Sequence, residues 1–596
     1  MAFTIEFQPI GKRIQCESPL YLLDASRQAG ITLTAVCGGE GTCGKCMVQV
    51  METHAALPVS EADRTHLTKE QLEAGYRLAC TAVISANCKI LIPNASLISD
   101  QVLQLEGIDR EVKPQPAVRQ IQISPQPPSL TDLKSDLSRV YGQLNLPSLK
   151  TGISTIRNLP FVLRENDWHC TVWTRGDKII HAARKLDEQP FGLAVDVGST
   201  KIAAYLVDLT TGRTLTAKGV PNPQIAYGED IMARLGYAIA NQDQAKTLFD
   251  LTIQAINEAA ETMCARIGRS PQEIRDICLV GNTAMHHIFL DLPVGGLAVS
   301  PFVPVVSDPL YPQAESLGIH AMPGAGVYAP PVKAGFIGSD HLAFLHAAGF
   351  GRDTCTRLGI DIGTNTEIAL QTGGRIVSVS TASGPAFEGA HIKYGMRAAP
   401  GAIEYVRIDA DGQADIDVIG NTAPTGICGS GILDTVAQLR LRGFLNKRGR
   451  LIKDAPGVQL DDDGKPFFTL SGQPNPVTIS QQDIDQILLA KGAIRAGIDV
   501  LMDHLQVRAE DIAEIVIAGA FGSYLLPEHA IGIGMLPDVP LDRIKAIGNA
   551  AGAGARMMLI STGERAKAEA LADQIEYLEL TVYPDFPIFY AQGIRA

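Results

Sequence analysis

Four cysteines near the start of the chain have a spacing suited to metal chemistry. They form the pattern C-x5-C-x2-C followed by 33 residues and a fourth cysteine, and they are Cys37, Cys43, Cys46 and Cys80. The first interval is one residue longer than in the plant-type [2Fe–2S] pattern C-x4-C-x2-C…C. Glycines between the cysteines free the backbone to wrap a cluster and to point amides at sulfur. A zinc site is the alternative, but zinc ribbons favour two C-x2-C pairs and this stretch has one.

A second set of chemically suitable residues is repeated within the chain. The stretch 194–212, AVDVGSTKIAAYLVDLTTG, recurs in part at 359–374 as GIDIGTNTEIALQTGG. The aligned pairs are Asp196 with Asp361, Gly198 with Gly363, Ser199 with Thr364, and Thr200 with Asn365. Glycine lets amides approach a phosphate, hydroxyls add donors, and a carboxylate can hold a hydrated Mg²⁺ ion. Two such turns in register predict a nucleotide site in a duplicated domain; two plain hairpins are the alternative.

A third glycine-rich turn occurs late in the chain. The apolar run at 515–524, IVIAGAFGSY, leads directly into Gly519, Ala520 and Gly522. The phosphate loop G-x4-G-K-[ST] does not occur, which excludes a P-loop enzyme as the first interpretation.

The elements around these residues indicate several domains. A chain of 596 residues is too long for one hydrophobic core. The segments FTIEFQP and KRIQCES predict a β-hairpin, and Leu20 to Gly30 predicts a helix. Cys16 and Cys88 fall on predicted strands outside the metal pattern, where we expect them to be buried. From Phe191 onward, strands and helices alternate, which is typical of α/β architecture.

The region between these parts changes character twice. Residues 96–129 are rich in proline and glutamine, which predicts an extended linker. In the following segment, LTDLKSDLSRVYGQL favours a helix and HCTVWTRGDKIIHAA favours paired strands. The predicted domains are therefore a cysteine-rich domain at 1–95, the linker at 96–129, a small middle domain at 130–188 and the duplicated α/β domain at 189–596.

Composition narrows the classes of partner. The formal net charge of −13 argues against a nucleic-acid or anionic-membrane binder. No run of about 18 apolar residues is present, and the first residues lack the apolar core of a signal peptide. Eleven cysteines is an odd number, and four have a metal-type spacing, which favours a reducing compartment over disulfides. We therefore expect a cytoplasmic protein.

Family resemblance can be added to this interpretation. The longer cysteine loop resembles that of vertebrate-type and putidaredoxin-like ferredoxins. The stretch 57–80, LPVSEADRTHLTKEQLEAGYRLAC, is similar to the helical segment and closing cysteine of β-grasp ferredoxins. The order of the three later turns resembles the actin, sugar-kinase and chaperone ATPase superfamily, in which the first two turns clamp the phosphates and the third faces the adenosine. Ala520 departs from that pattern, because a second glycine is usual there.

The whole chain resembles one family, the reductive activators of corrinoid proteins. The motifs that carry this resemblance are NPQIAYGEDIMARL at 222–235, GNTAMHH at 281–287, GFIGSDHLAF at 335–344, SGPAFEGAHIKYGMRAAPGAI at 383–403, GICGSGILD at 426–434, AKGAIRAGI at 490–498 and IGNAAGAGA at 547–555. The resemblance implies a β-grasp [2Fe–2S] domain, a linker and middle domain, and an actin-like ATPase domain. Residues 96–187 carry least of it.

The resemblance also implies a function and its partners. The protein would use ATP and one electron from its [2Fe–2S] cluster to return a corrinoid protein from Co(II) to Co(I). A corrinoid protein of a methyltransferase system and an upstream electron donor are the expected partners, and relatives suggest a homodimer.

Roles can be expected for individual residues of the nucleotide site. Asp196 and Asp361 would hold the Mg²⁺ water shell or orient the attacking water. Hydroxyl and amide donors would contact phosphate oxygens; these are Ser199, Thr200, Thr364 and Asn365. Lys201 would add positive charge, unless it is an outward-facing strand residue. Glu388 would serve as a base or a partner contact, unless it only caps a helix.

Three other functions are compatible with these residues. One is a small-molecule kinase with a fused ferredoxin, since the ATPase fold also serves kinases. Another is an electron carrier whose ATPase-like part is a scaffold. The third is an ATP-driven electron donor to a different low-potential enzyme.

Overall fold

The N-terminal domain is built around one mixed sheet. The computed structural model describes the chain except for residues 1–2, 9–11, 17–18, 30, 32, 34, 36, 54–56, 94–109, 111, 145–149, 187–188, 229, 390, 397, 473–475, 520–524 and 596. The strands of this domain are β1 (Phe3–Gln8), β2 (Lys12–Cys16), β3 (Leu20–Tyr21), β4 (Met47–Thr53), β5 (Tyr76–Leu78), β6 (Val83–Ile84) and β7 (Cys88–Leu91), and its helices are α1 (Leu22–Gln28), α2 (Glu61–His66) and α3 (Lys69–Glu73). The sheet order is β2-β1-β7-β4-β5, with β1 antiparallel to β2 and parallel to β7.

This order is that of a β-grasp domain, as expected. Helix α1 buries Leu22, Leu23 and Ala25 in the core of the domain. The predicted hairpin is confirmed, and Cys16 and Cys88 are buried on the strands assigned to them. The sheet and α1 therefore form a rigid base for the loop that carries three of the four metal-type cysteines.

The small second domain packs two helices on a four-stranded sheet. Its elements are β8 (Val118–Ile123), α4 (Asp136–Leu144), β9 (Lys150–Thr151), α5 (Ile153–Arg164), β10 (Cys170–Arg175) and β11 (Lys178–Ala183), and the sheet order is β8-β10-β11-β9. The strand pair β10–β11 was expected. Strand β8, however, lies inside the segment 96–129 predicted as an extended linker, and it pairs antiparallel with β10. Buried Val118 and Ile123 hold it in place, although the proline- and glutamine-rich composition around it conceals the strand.

The first half of the large domain carries a five-stranded sheet. Its elements are β12 (Phe191–Val197), β13 (Lys201–Asp208), β14 (Thr214–Pro221), α6 (Ile231–Ala240), α7 (Gln242–Arg266), β15 (Ile274–Gly281), α8 (Thr283–Phe289), α9 (Gly295–Ala298), β16 (Gly326–Tyr328) and α10 (Ser339–Ala348). The sheet order is β14-β13-β12-β15-β16. The central strand β12 is antiparallel to β13 and parallel to β15.

The second half repeats this arrangement and adds smaller sheets. Its elements are β17 (Arg357–Ile362), β18 (Thr366–Thr372), β19 (Arg375–Thr381), β20 (Ala402–Ile408), β21 (Ala414–Val418), β22 (Gly426–Ile427), α11 (Gly429–Leu441), β23 (Val458–Leu460), β24 (Pro466–Ser471), β25 (Val477–Ser480), α12 (Gln481–Leu505), β26 (Glu514–Ala518), α13 (Pro527–Gly532), β27 (Ile544–Ala546), α14 (Ala550–Ile560), α15 (Thr562–Gln574), β28 (Ile575–Tyr577) and α16 (Phe586–Gly593). The main sheet has the order β27-β26-β17-β18-β19-β28.

The two halves are equivalent around their central strands. Strand β17 is antiparallel to β18 and parallel to β26, just as β12 is antiparallel to β13 and parallel to β15. Helix α14 of the second half packs on α10 and on β12, and so connects the halves. The expected duplicated actin-like domain is therefore present. Among the helices of the described residues, none is long and apolar enough to cross a membrane.

Candidate functional site

The cysteine loop (residues 37–46) and Cys80 bring four thiols together in two pairs. Sγ of Cys46 lies 3.3 Å from Sγ of Cys80, and the thiol of Cys37 is hydrogen-bonded to that of Cys43. The hydrogen bond from Cys43 lowers the pKa of Cys37 to about 4, while the same bond raises the pKa of Cys43. In the second pair, the bond to Cys80 lowers the pKa of Cys46 and raises that of Cys80. Each pair thus shares a proton that a bound cation would displace.

This arrangement fits a two-iron cluster. A [2Fe–2S] cluster is held by four thiolates, and two pairs supply two thiolates for each iron. Within the described part of the chain, no three His, Cys, Asp or Glu side chains converge as the ligands of one ion would. A single zinc ion would need all four thiolates around one point. The glycines of the loop adopt φ values of 67° to 108°, which other residues rarely reach; they are Gly38, Gly39, Gly41 and Gly44.

The second site is a cleft of about 360 Å³ between the halves of the large domain. Eleven of the twelve residues expected at a nucleotide site line this cleft: Asp196, Gly198, Ser199, Thr200, Lys201, Asp361, Gly363, Thr364, Asn365, Glu388 and Gly519. The twelfth, Gly522, lies outside the described residues, as does Ala520. The volume lies within the range of small-molecule and cofactor pockets.

Asp196 and Asp361 reach this cleft from equivalent strands of the two halves. Asp196 pairs with Val280 of β15, and Asp361 pairs with Ala518 of β26. The residues that follow these partners, Gly281 and Gly519, are therefore equivalent as well. We call residues 196–200 and 361–365 the first and second phosphate turns. A Cβ atom on Gly519 would lie 2.4 Å from the carbonyl oxygen of Ile362, so only glycine fits against the second phosphate turn.

The electrostatics of the cleft are dominated by clustered carboxylates. Burial, followed by the charges of Asp340 and Asp361, raises the pKa of Asp196 to about 8, although a hydrogen bond from Asn549 opposes the shift. Burial and Asp340 raise the pKa of Asp361 to about 7. Glu367 stands opposite Asp361 on the adjacent strand, and its pKa is raised by burial and by the same two aspartates. Such a cluster is stabilised by bound protons or by a divalent cation.

The expected donors and Glu388 occupy defined positions. The hydroxyl of Thr364 donates a hydrogen bond of 2.7 Å to Glu388, which ends the short turn Pro385–Glu388. Glu388 does not cap a helix there, because Gly389 follows it with φ of 83°. Lys201 is half-buried and lines the cleft, so it is not an outward-facing strand residue.

Several cleft residues were missed by the motif analysis. Asp340 lies in the first turn of α10, Asn549 caps α14, and Asn282 caps α8. All three line the cleft, and each belongs to a stretch that carried the family resemblance without being given a role. Glu367 follows the second turn directly, and its counterpart in the first half is Ala203, so the repeat itself gave no signal for it.

The consecutive histidines beside this region have structural surroundings. Both are buried; Nδ1 of His287 is 2.9 Å from the carbonyl oxygen of Thr283, and its Nε2 accepts a hydrogen bond from the amide of Val305. Burial lowers the pKa of His286 to about 3. Neither ring is part of the cysteine loop or the lining of the cleft.

Together, the fold and the two sites define an iron–sulfur protein with an actin-like nucleotide-binding domain. Profiles of known families match the chain in four successive segments: a 2Fe-2S iron-sulfur cluster binding domain at 5–85, the RACo linker region at 107–189, the RACo middle region at 191–353, and the C-terminal domain of RACo, the ASKHA domain, at 355–595. The chain belongs to the RACo family, whose domains carry a [2Fe–2S] cluster and an ATPase site.

Individual relatives match over most of the chain. The chain is 30% identical over 600 residues, 97% of each chain, to the corrinoid activation enzyme RamQ of Eubacterium limosum. It is 26% identical over 440 residues to a [Co(II) methylated amine-specific corrinoid protein] reductase of Methanosarcina barkeri, covering 67% of this chain and 76% of the relative. A solved structure described as a reductive activator for corrinoid, iron-sulfur protein aligns with a TM-score of 0.74 and 31% identity, covering 100% of this chain and 98% of the other.

Proposed function

We propose that this protein is an ATP-dependent reductive activator of a corrinoid protein. The observation that carries the proposal is the combination, in one chain, of four paired thiols with a carboxylate-lined cleft. Relatives that match most of the chain are named for corrinoid activation and for reduction of a Co(II) corrinoid protein. A bound [2Fe–2S] cluster would supply one electron at a time, so that one Co(II) becomes Co(I) for each cluster oxidised.

The residues of the cleft would bind Mg²⁺ and the phosphates of ATP. Mg²⁺ keeps several water ligands and is usually held by one or two carboxylates together with phosphate oxygens. Asp196 and Asp361 would fill that role through the water shell, and Asp340 and Glu367 would add to the negative charge that attracts the ion. Binding of the ion would release the protons that their raised pKa values retain.

The turns between the strands would hold the phosphates. Donors from the first turn are Ser199 and Thr200, and those from the second are Thr364 and Asn365. Lys201 lies at the entrance to β13 and would neutralise phosphate charge. Glu388, which accepts a hydrogen bond from Thr364, would orient that hydroxyl or act as a base towards the attacking water.

The electron balance requires two partners. A corrinoid protein of a methyltransferase system would accept the electron, and an upstream one-electron donor would reduce the cluster again after each turnover.

The proposal is tested by mixing purified protein, reductant and ATP with a Co(II) corrinoid protein and following visible absorption. We expect Co(I) to accumulate with the wild-type chain and to be absent with Cys43→Ala, which removes one thiolate of the loop. If Co(I) does not form with any corrinoid protein, or if ATP instead phosphorylates a small metabolite, the proposed function is wrong.

A further inference from the structure

The cluster-binding domain contacts both halves of the ATPase domain. On the first half, Arg27 at the end of α1 donates a hydrogen bond to the carbonyl of Ala226, and its guanidinium lies 4.5 Å from the ring centre of Tyr227. On the second half, Nζ of Lys45 donates to the carbonyl of Ile392 at 3.3 Å. Since Lys45 immediately precedes Cys46, the second contact belongs to the cysteine loop itself.

The backbone of the cysteine loop also approaches the first half closely. A Cβ atom on Gly38 would lie 3.5 Å from the carbonyl oxygen of Tyr227 and 3.7 Å from Cα of Gly228. On the other side, burial and then the charge of Lys45 lower the pKa of His391, which precedes Ile392. The loop therefore lies across the two halves, with one set of contacts on each.

On the first half, the residues that make these contacts are linked to the turn 196–200 through Asn222. Ala226 and Tyr227 belong to the short turn Pro223–Tyr227, which is capped by buried Asn222. Nδ2 of the Asn222 side chain donates a hydrogen bond of 2.8 Å to the carbonyl oxygen of Gly198. The backbone N–H of Asn222 donates one of 2.9 Å to the carbonyl oxygen of Thr200. The turn Pro223–Tyr227, which contacts the cluster-binding domain, is thus hydrogen-bonded through Asn222 to the first phosphate turn.

The second half has an equivalent connection. Ile392 follows the turn Pro385–Glu388, whose last residue accepts the hydrogen bond from Thr364 of the second phosphate turn. The next amide, that of Lys393, donates to Asp483 at 2.7 Å. The acceptor of Lys45 therefore lies on a segment that is held at one end by a residue of the nucleotide site.

Phosphate binding competes with this connection. A threonine hydroxyl has one proton to donate, so Thr364 cannot donate to Glu388 and to a phosphate oxygen at the same time. A phosphate beside Thr364 would also repel the carboxylate of Glu388. Both effects loosen the segment that carries Ile392, and any change in the separation of the halves disturbs a loop that touches both.

We propose that nucleotide binding releases the cluster-binding domain from this docked position. The inference rests on the proposed function only for the identity of the protein that the freed cysteine loop then meets; the coupling itself requires only a nucleotide in the cleft. Coupling between two equilibria is reciprocal. Contacts that hold the domain in place must therefore weaken nucleotide binding, and removing them must strengthen it.

Calorimetric titration of the cluster-loaded, full-length protein with a non-hydrolysable ATP analogue and Mg²⁺ tests this reciprocity. Arg27→Gln and Tyr227→Leu each remove a docking contact without touching the cleft. We expect each to tighten analogue binding by about fivefold or more, the lower end of typical allosteric coupling. Arg64→Gln, a charge-matched change at an exposed position of the same domain, should bind like the wild type. Unchanged or weaker binding by both docking variants, or no binding by any chain, would overturn the proposal.

Hydrogen exchange on the unsubstituted protein gives a second, independent result. With the analogue present, amides of residues 43–46 and 391–393 should exchange at least about threefold faster than without it, and unchanged or slower exchange at both segments would overturn the proposal. This result decides the matter if a docking variant loses the visible absorption of its cluster. Neither measurement uses a corrinoid protein. Tighter binding and faster exchange without any Co(I) formation would therefore contradict the proposed function alone.

Discussion

At the scale of single residues, the nucleotide cleft is organised by negative charge. Burial raises the pKa values of Asp196, Asp340 and Asp361. The charge of Asp340 raises those of Asp196 and Asp361 further, and Glu367 joins the cluster from the adjacent strand. Bringing these carboxylates together costs free energy, and a site that binds Mg²⁺ with ATP recovers it when the ion arrives. The same arrangement makes the protein sensitive to pH.

Raised pKa values predict a stability that falls as pH rises. The folded protein retains protons on Asp196 and Asp361 up to pKa values of about 8 and about 7, whereas an unfolded aspartate releases its proton near about pH 4. Between these limits the native state binds more protons, so the free energy of unfolding decreases with pH. Without Mg²⁺ and nucleotide, we expect the Tm measured by calorimetry to be lower at pH 8 than at pH 6.

The variant Asp340→Asn removes a charge that raises both of these pKa values. Its Tm should depend less on pH than that of the wild type, while the exposed control Asp308→Asn should keep the wild-type dependence. Identical pH dependence in wild type and Asp340→Asn would contradict the assignment of this effect to the cleft.

Gly519 provides a steric test of the third turn. Gly519 has φ of 92°, and an added Cβ would lie 2.4 Å from the carbonyl oxygen of Ile362 and 3.1 Å from Oδ1 of Asp361. Gly519→Ala should displace the strand end that carries Asp361 and weaken ATP-analogue binding about tenfold, or about 1.4 kcal/mol. Gly374→Ala is the matched control, since Gly374 has φ of 88° and nothing within 4 Å of the added Cβ. Gly374→Ala should lower the free energy of unfolding by about 1 kcal/mol through backbone strain alone. Equal affinities in the two variants would count against a role for Gly519 in positioning Asp361.

Residues that repeat a local motif were predictable, and residues brought in from elsewhere were not. Asp196 and Asp361 each lie near the end of an apolar strand, two residues before a glycine, so the sequence alone predicts where they stand. Asp340 comes from the start of a helix and Asn549 from a helix cap, both more than 100 residues from the first turn. Only the fold of the whole domain places them beside Asp196.

At the scale of elements, the repeat extends further than the two aspartate turns. Strands β15 and β26 are equivalent neighbours of β12 and β17, so the glycine turn after β26 has its own counterpart after β15. In the sequence, the late turn stands apart as a third feature, because GNTAMHH and GAFGSY share little beyond glycine. Strand β8 was missed for a different reason: proline and glutamine around it hide a short apolar pattern.

A buried ion-pair network joins three parts of the chain at one aspartate. Asp276 on β15 is fully buried, accepts a hydrogen bond of 2.7 Å from Arg565 of α15, and pairs with Arg175 of β10 in the small domain. Asp276→Ala leaves two guanidinium groups without this carboxylate and should reduce the free energy of unfolding by about 3–5 kcal/mol in denaturant titrations.

An exposed ion pair gives the matched control for this network. Oδ2 of Asp415 lies 3.3 Å from Nη1 of Arg407, and the side chains of Asp415 and Arg407 are 76% and 70% exposed. Asp415→Ala should therefore cost less than about 1 kcal/mol. If Asp276→Ala costs no more than Asp415→Ala, the small domain is not held to the ATPase domain by Asp276.

At the scale of the whole molecule, the cysteine site and the nucleotide cleft must work together to drive electron transfer. Each tenfold shift in a one-electron equilibrium corresponds to about 59 mV, or about 1.4 kcal/mol. Nucleotide-dependent changes in partner binding typically supply about 1–3 kcal/mol, enough to move an unfavourable electron transfer by roughly one or two such factors.

The sequence predicted the cysteine-rich domain and the duplicated α/β domain that carry these sites. The contacts that hold the cluster-binding domain against the two halves join residues about 200 and about 350 positions apart, and no local sequence pattern predicts them.

The rate of Co(I) formation under multiple turnover, with and without ATP, tests this account most directly. The decisive variant is the double substitution Asp196→Asn with Asp361→Asn, which should retain the visible absorption of the cluster. We predict that the wild type produces Co(I) repeatedly only when ATP is present, and that the double variant is about a hundredfold slower. Co(I) formation by the double variant at the wild-type rate would contradict the account, because the cleft would then serve only as a scaffold.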